Sequence, residues 1–444
     1  MLIGFLAFEL ILLLLGLAML VRPKAANVLE RRVLCALRIR KRESRDRPIP
    51  KWHNVVTVIL GAVVVAFVIS DWSGLRVCSL GVEVPMVTSG PLSPESAKRI
   101  DDLVVPEIRS GKHVGMVVGI IDGDRTWTRG YGRKSTGLGD PPDGDSIFEI
   151  GSMTKTFTCT VLSAMVERGR VRLDDPVGRY LPSSVHVPTY GSKQITLEIL
   201  AMHTSGLPRV ADNMGLASDF SDDPYADYRD EQLYEFLNTH KLRKNPGAEH
   251  EYSNLGMGLL GLALSRETGV NYEQMVTGLV CKPLGMRDTT VTLSDSQRGR
   301  LVQGYAVQGR LGNILLTVPS RNWSFQDCTA GAGALKSTAN DMLRYLQANM
   351  AAPGGDLGQA LQIAHTPRLK IDDAESVGLG WFMLNVPWAD EPVIWHNGGT
   401  GGYCSFVGFC KKRRLGVVVL ANSATDVDIT ALRILKALIR RSGQ

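Results

Sequence analysis

Three short groupings in this chain combine a nucleophile, a base and hydrogen-bond donors at spacings that suit acyl transfer. Ser152-Met153-Thr154-Lys155 is the only Ser-x-x-Lys. On a helix, residues three apart share a face, so the Lys155 amine would stand beside the Ser152 hydroxyl. A free serine is a weak nucleophile, and a lysine kept neutral by burial can take its proton. The same four residues would also suit a serine that merely caps a helix. Tyr252-Ser253-Asn254, the only Tyr-x-Asn, follows the turn Asn245-Pro246-Gly247. A phenol near a cationic amine can ionise below its usual value and relay protons, while the Asn254 amide can orient a substrate carbonyl or the lysine; a packed tyrosine on a surface loop is the plainer alternative. His396-Asn397-Gly398-Gly399 follows an apolar run. Glycines there let a substrate backbone come close, and an N–H at a strand edge can donate into an oxyanion hole, although glycine-rich connections are usually just turns. The other seven histidines show no His-Glu-x-x-His spacing, so neither a metal nor a cofactor is expected. No Gly-x-Ser-x-Gly elbow occurs, which argues against the α/β-hydrolase route to the same chemistry.

The surrounding pattern supplies elements to hold these residues. Ser93 followed by Pro94 opens a helix to about Arg109. Val114–Ile121 and Thr126–Tyr131, joined by Asp122-Gly123-Asp124, read as a hairpin. Ser152 to about Arg168 is helical, with Phe157, Val161, Ala164 and Met165 on one face. Helix-like segments follow at Asp230–His240, Leu255–Glu267 and Tyr272–Leu279, and Thr338-x-x-Asp341 caps another to Met350. Strands are expected at Val377–Val386, Val393–Trp395, Tyr403–Phe409 and Leu415–Ala421, then a closing helix over Asp426–Arg440. Terminal strands and helices around a helical middle describe an α+β fold: an antiparallel sheet flanked by helices with an inserted all-helical lobe. The cleft between sheet and lobe is the natural site.

With 444 residues, 44% hydrophobic and 21% charged, the chain is globular rather than disordered or fibrous. Its formal charge of +6 is not spread evenly. Residues 22–51 carry eleven Lys/Arg against three acids, which leaves the rest at −2 and without the basic footprint that nucleic acid needs. That basic segment separates two apolar runs. Leu2–Val21 has only Glu9 charged, and Val55–Ile69 is flanked by Trp52 and Trp72. Each is near the ~20 residues of a membrane helix, and the tryptophans suit the two interfaces. The expected organisation is a transmembrane helix at 1–21, a basic cytoplasmic loop at 22–51, a second helix at 52–72, a linker at 73–92 and a catalytic domain at 93–442. The positive-inside rule then puts the domain outside the cell membrane, in the periplasm or the extracellular space. Six cysteines fall in that outer part (Cys78, Cys159, Cys281, Cys328, Cys404, Cys410), a number that permits disulfides without requiring them.

The order and surroundings of the motifs resemble one family, the penicillin-recognising serine hydrolases: class C β-lactamases, low-molecular-weight D,D-peptidases and related esterases and D-aminopeptidases. The resemblance rests on Phe148-Glu149-Ile150-Gly151-Ser152-Met153-Thr154-Lys155, Leu173-Asp174-Asp175-Pro176-Val177, His203-Thr204-Ser205-Gly206-Leu207-Pro208, Pro246-Gly247 before Tyr252-Ser253-Asn254, Ser337-Thr338-Ala339-Asn340-Asp341, and His396-x-Gly398. It runs over residues 93 to 440. It implies a β-lactamase/D,D-peptidase-like fold and an acyl-enzyme on Ser152, with Lys155 and Tyr252 as base and then acid. It also implies that Asn254 holds the substrate and Lys155, and that the backbone N–H groups of Ser152 and Gly399 form the oxyanion hole. His396 stands where many members have a lysine, and a histidine is mostly neutral above pH ~6.5, so a substrate carboxylate would meet less charge there.

The expected activity is cleavage of an amide or ester in a small molecule or peptide, with a cell-wall D-amino-acid peptide of peptidoglycan as one substrate class. A carboxylesterase of the same fold, and an inactive binding or sensory module, are the alternatives.

Overall fold

The computed structural model describes residues 84–91, 93–136, 139–214, 223–311, 314–351 and 353–439. The two apolar runs, the basic loop between them and the linker up to residue 83 lie outside the described residues. No helix among the described residues is long and apolar enough to cross a membrane.

The strands in chain order are β1 (Met86–Ser89), β2 (Gly115–Asp122), β3 (Arg125–Gly132), β4 (Ile147–Glu149), β5 (Tyr305–Leu311), β6 (Ile314–Pro319) and β7 (Lys336–Thr338). They continue with β8 (Leu369–Lys370), β9 (Glu375–Val377), β10 (Phe382–Leu384), β11 (Val393–Gly399), β12 (Cys404–Cys410) and β13 (Leu415–Ala421). Nine of them form one sheet in the order β1-β3-β2-β13-β12-β11-β10-β9-β8, every neighbouring pair antiparallel. β4 pairs with β7 apart from it. β5 and β6 make a separate two-stranded sheet.

Both faces of the large sheet are covered, which is why its central strands read as apolar runs rather than alternations. β2 shows the division: Met116, Val118 and Ile120 belong to one buried cluster, Val117 and Ile121 to another. On the first face pack Pro94–Arg109, through Ile100, Val104 and Ile108, and Asp428–Ile439, through Ala431, Ile434 and Leu435. The Ser93 side chain accepts the Ser96 N–H and Pro94 fills the first turn, so that helix starts where its sequence says. The other face carries the larger core, built with Thr154–Glu167, Asn254–Thr268 and Ala339–Ala351.

Several segments differ from the sequence expectation: β5 and β6 fall in the stretch read as helical, and β11 runs on through the third motif to Gly399 rather than ending at Trp395. Met86–Ser89, placed in the linker, is the edge strand β1, paired with Thr128–Tyr131 of β3. Val377–Val386, expected as one strand, is divided into β9 and β10. Gly380 between them has φ +68°, and a Cβ there would lie 2.8 Å from Cys159 Sγ, so the chain turns tightly against the helix that carries Lys155.

Candidate active site

Ser152 occupies a 3-10 turn, Gly151–Met153, that runs directly into the Thr154–Glu167 helix. Every residue of that helix from Thr154 to Met165 is buried. Its threonines are satisfied locally: Thr156 donates to the Met153 carbonyl, Thr158 to Thr154 and Thr160 to Thr156. Lys155, in the first turn, is fully buried and donates to Ser152 Oγ at 2.8 Å and to the Ala332 carbonyl at 2.6 Å. Burial, and then the charge of Arg209, hold its amine well below the ordinary lysine value. A neutral amine at that distance can accept the serine proton along the same contact.

Tyr252 completes the group. Its hydroxyl is close enough to the Ser152 side chain for the serine to lower its pKa in part, and Lys155 Nζ lies 4.9 Å from its ring centroid. Here the structure corrects the expected chemistry. Burial dominates and pushes the phenol well above its ordinary value, so Tyr252 is held protonated. His203 stacks on the ring at 4.4 Å, with a backbone φ of +57°. His203 Nδ1 accepts the Ser253 N–H, while Ser253 Oγ accepts the Gly256 N–H and caps the Asn254–Thr268 helix. Burial, and next the Lys155 charge, press His203 well below the usual imidazole value. It is therefore a neutral spacer with its proton on Nε2.

The third motif lies on β11, paired residue by residue with β12, His396 opposite Val407 and Gly399 opposite Cys404. A Cβ at Gly398 would come 2.0 Å from the Ile150 carbonyl and 2.9 Å from Ser152 N. A Cβ at Gly151 would lie 2.7 Å from Gly399 N. Only glycine allows β11 to press this closely on the serine turn. The backbones of Ser152 and Gly399 are thus brought side by side, and Ser405 Oγ, donating to the Ile150 carbonyl at 2.8 Å, fastens β12 to the same turn.

His396 differs from what its motif suggests. Its imidazole is fully buried, and burial followed by the Lys155 charge lowers it to about 3. Its Nδ1 meets the Asn397 carbonyl at 2.5 Å, Nε2 has no partner among the described residues, and the ring is not part of the cleft wall. Along a strand successive side chains alternate, so Asn397 faces the cleft instead, donating to Asp428 Oδ2 at 2.6 Å. Burial, and then Asp426, lift Asp428 to about 6. Asn254 also turns elsewhere than expected: its amide nitrogen donates to the Tyr225 hydroxyl at 2.8 Å rather than serving Lys155.

A cleft of about 790 Å³ opens over this group. Ser152, Tyr252, Asn254, Gly398 and Gly399 line it; Lys155 and His396 stand behind it. Arg209, Tyr225 and Asp428 line it too, and sequence reading did not single them out. For Arg209 a signal existed, since it directly follows the His203–Pro208 motif. Among the described residues no three His, Cys, Asp or Glu side chains converge as metal ligands would.

A lysine-supported serine under an antiparallel sheet, with a helical lobe closing the cleft, defines a serine hydrolase. A family model described as Beta-lactamase matches residues 100–440, and the chain belongs to that family. It is 31% identical over 340 residues to the D-alanyl-D-alanine-carboxypeptidase/endopeptidase AmpH of Escherichia coli (strain K12), covering 74% of this chain and 84% of that protein. A Beta-lactamase of Pseudomonas fluorescens is 26% identical over 361 residues, covering 73% of this chain and 92% of that one. Among solved structures, Beta-lactamase/D-alanine Carboxypeptidase from Yersinia pestis complexed with citrate superposes with a TM-score of 0.66 at 25% identity, covering 78% of this chain and 99% of that one. The α+β fold read from the sequence is the fold of these proteins.

Proposed function

We propose that this protein is a membrane-anchored serine hydrolase that cleaves an amide or ester of a D-amino-acid peptide from peptidoglycan through a Ser152 acyl-enzyme. The observation that carries the reading is the 2.8 Å contact between the buried Lys155 amine and Ser152 Oγ. Lys155 takes the serine proton as Oγ attacks the carbonyl carbon. The N–H groups of Ser152 and Gly399 bind the oxyanion. Tyr252, protonated and beside Ser152, passes a proton to the leaving group, and Lys155 replenishes it. Water then repeats the sequence on the acyl-enzyme and frees the serine. Asn254 orients the acyl part, and Gly398 lets the substrate lie along β11. The name of the Escherichia coli relative supports the wall-peptide substrate class.

The anchor in this reading is the pair of spans at 1–21 and 52–72, with residues 22–51 in the cytoplasm, 73–92 as the tether and 93–442 outside the cell membrane. The charge asymmetry of the connection supports that orientation. A carboxylesterase is the second reading. It is favoured by the burial of His396, which leaves no charge on the third motif for a terminal carboxylate.

Intact-mass measurement of the full chain in detergent, after a fluorophosphonate and separately after a penicillin, tests this. Both reagents should add mass to the wild type and neither to Ser152→Ala. Label from the fluorophosphonate alone moves the assignment to the esterase. No adduct from either reagent removes the hydrolase reading and leaves a binding module.

A further inference from the structure

With His396 buried, the cleft is left with a single lysine or arginine in its described wall, Arg209. Its backbone is pinned to the second motif, because its carbonyl accepts both the Asn254 and the Leu255 N–H and the neighbouring Pro208 carbonyl accepts Ser253 Oγ. Its guanidinium carbon lies 5.0 Å from the Tyr252 ring centroid, and Arg209, Tyr252 and Ser152 line the same cleft. Stacking on an aromatic face engages the flat side of a guanidinium and leaves its N–H edge free for a bidentate partner. Arg209 is exposed, and among the described residues no carboxylate pairs with it. The remaining charged groups of the wall are acids, Glu375, Asp426 and Asp428. An anionic substrate would be repelled there and drawn to one place only.

We propose that Arg209 is the residue that recognises a carboxylate on the substrate, and that this enzyme therefore prefers anionic acyl donors or leaving groups over neutral ones of the same shape. This rests on the hydrolase reading above. The recognised chemistry is a carboxylate within a side chain's length of the scissile carbonyl, gripped by the guanidinium edge while its face stays on Tyr252.

The test uses the full chain in detergent and two matched pairs of substrates. p-Nitrophenyl hemisuccinate against p-nitrophenyl butyrate places the carboxylate on the acyl part. S-butyryl mercaptoacetate against S-butyryl mercaptoethanol places it on the leaving group. The readout is the ratio of kcat/KM within a pair, which a general loss of activity does not move. In the wild type one pair should favour its anionic member by roughly 10- to 100-fold, the size of one charge-assisted contact. In Arg209→Gln that ratio should collapse towards one, and Arg209→Lys should recover part of it. An anionic preference that survives in Arg209→Gln, or equal losses on both members of each pair, overturns the assignment and makes Arg209 a support for Tyr252 instead. Absence of turnover on all four substrates by a protein whose Ser152 still takes the fluorophosphonate also counts against Arg209. Absence of that label counts against the hydrolase reading itself.

Discussion

The imidazole of His203 lies stacked on the phenol of Tyr252, ring centroids 4.4 Å apart and planes 30° from parallel. A histidine with a left-handed backbone, pressed neutral and accepting the Ser253 N–H, fixes both the ring and the start of the next helix. His203→Ala should leave Ser152 and Lys155 in contact but let the phenol wander. We expect acylation to slow by about 10-fold or more with little change in KM, since proton transfer by a positioned group is worth roughly 10²–10⁴. His203→Asn, which tolerates the same backbone and can accept the same N–H, should lose less. Stopped-flow labelling rates decide it; equal rates in all three proteins would remove His203 from the positioning of Tyr252.

Lys155→Met should abolish labelling of Ser152 on the hour scale while leaving the fold intact, because methionine fills similar buried volume without a proton acceptor. The loss should be about 10³-fold or more. Labelling at the wild-type rate would show that another group takes the serine proton.

Gly398 and Gly399 make a paired comparison. Gly398→Ala forces a methyl into the Ile150 carbonyl, so β11 must move off the serine turn; labelling should fall by at least 100-fold and stability by about 1–3 kcal/mol. At Gly399 the nearest atoms to a new Cβ are 3.9 Å away, so Gly399→Ala should leave the urea midpoint unchanged. Equal midpoint shifts in the two variants would contradict the close contact of β11 with Ser152.

His365 and His396 are both lowered to about 3 by burial. Unfolded, each takes a proton below pH ~6.5, whereas the folded protein refuses it until about pH 3. Their contribution to stability is therefore intact above pH ~6.5 and shrinks as pH falls towards 3, by up to ~1.4 kcal/mol per pH unit for each. Urea unfolding should show the wild type weaker at pH 5 than at pH 7, with about 2 kcal/mol less of that loss in His365→Gln. An identical pH dependence in variant and wild type would show that His365 titrates normally.

The chemistry was more legible than the surroundings that tune it. Ser152 and Lys155 could be paired from spacing alone, because three residues of helix leave little freedom. Leu415–Ala421 was legible as a strand because a doubly covered strand is apolar throughout. β1 looked like linker because an exposed edge strand carries no alternation to read. The burial of His396 depends on β12 and on Tyr252, brought close only by the fold. The same holds for Arg209: nothing local says that the loop after Pro208 returns to the Tyr252 ring. The rise of the Tyr252 phenol is hidden for a related reason, since the sequence shows an amine nearby but not the burial that raises the hydroxyl.

The pairing of β2 with β13 joins Val117 to Leu420, so strands from opposite ends of the chain lie side by side at the centre of the sheet. During synthesis β2 and β3 are made early, and the apolar edge of β2 has no partner until roughly 300 residues later, on the order of 15–60 s at ordinary translation rates. β12 and β11 depend on β13 for their place beside it, and β11 forms one wall of the cleft. The nucleophile is therefore translated long before the strand that completes its site, and a chain released early would carry Ser152 and Lys155 without a cleft to act in. Such non-local closure is slow and leaves a sticky edge exposed while it waits.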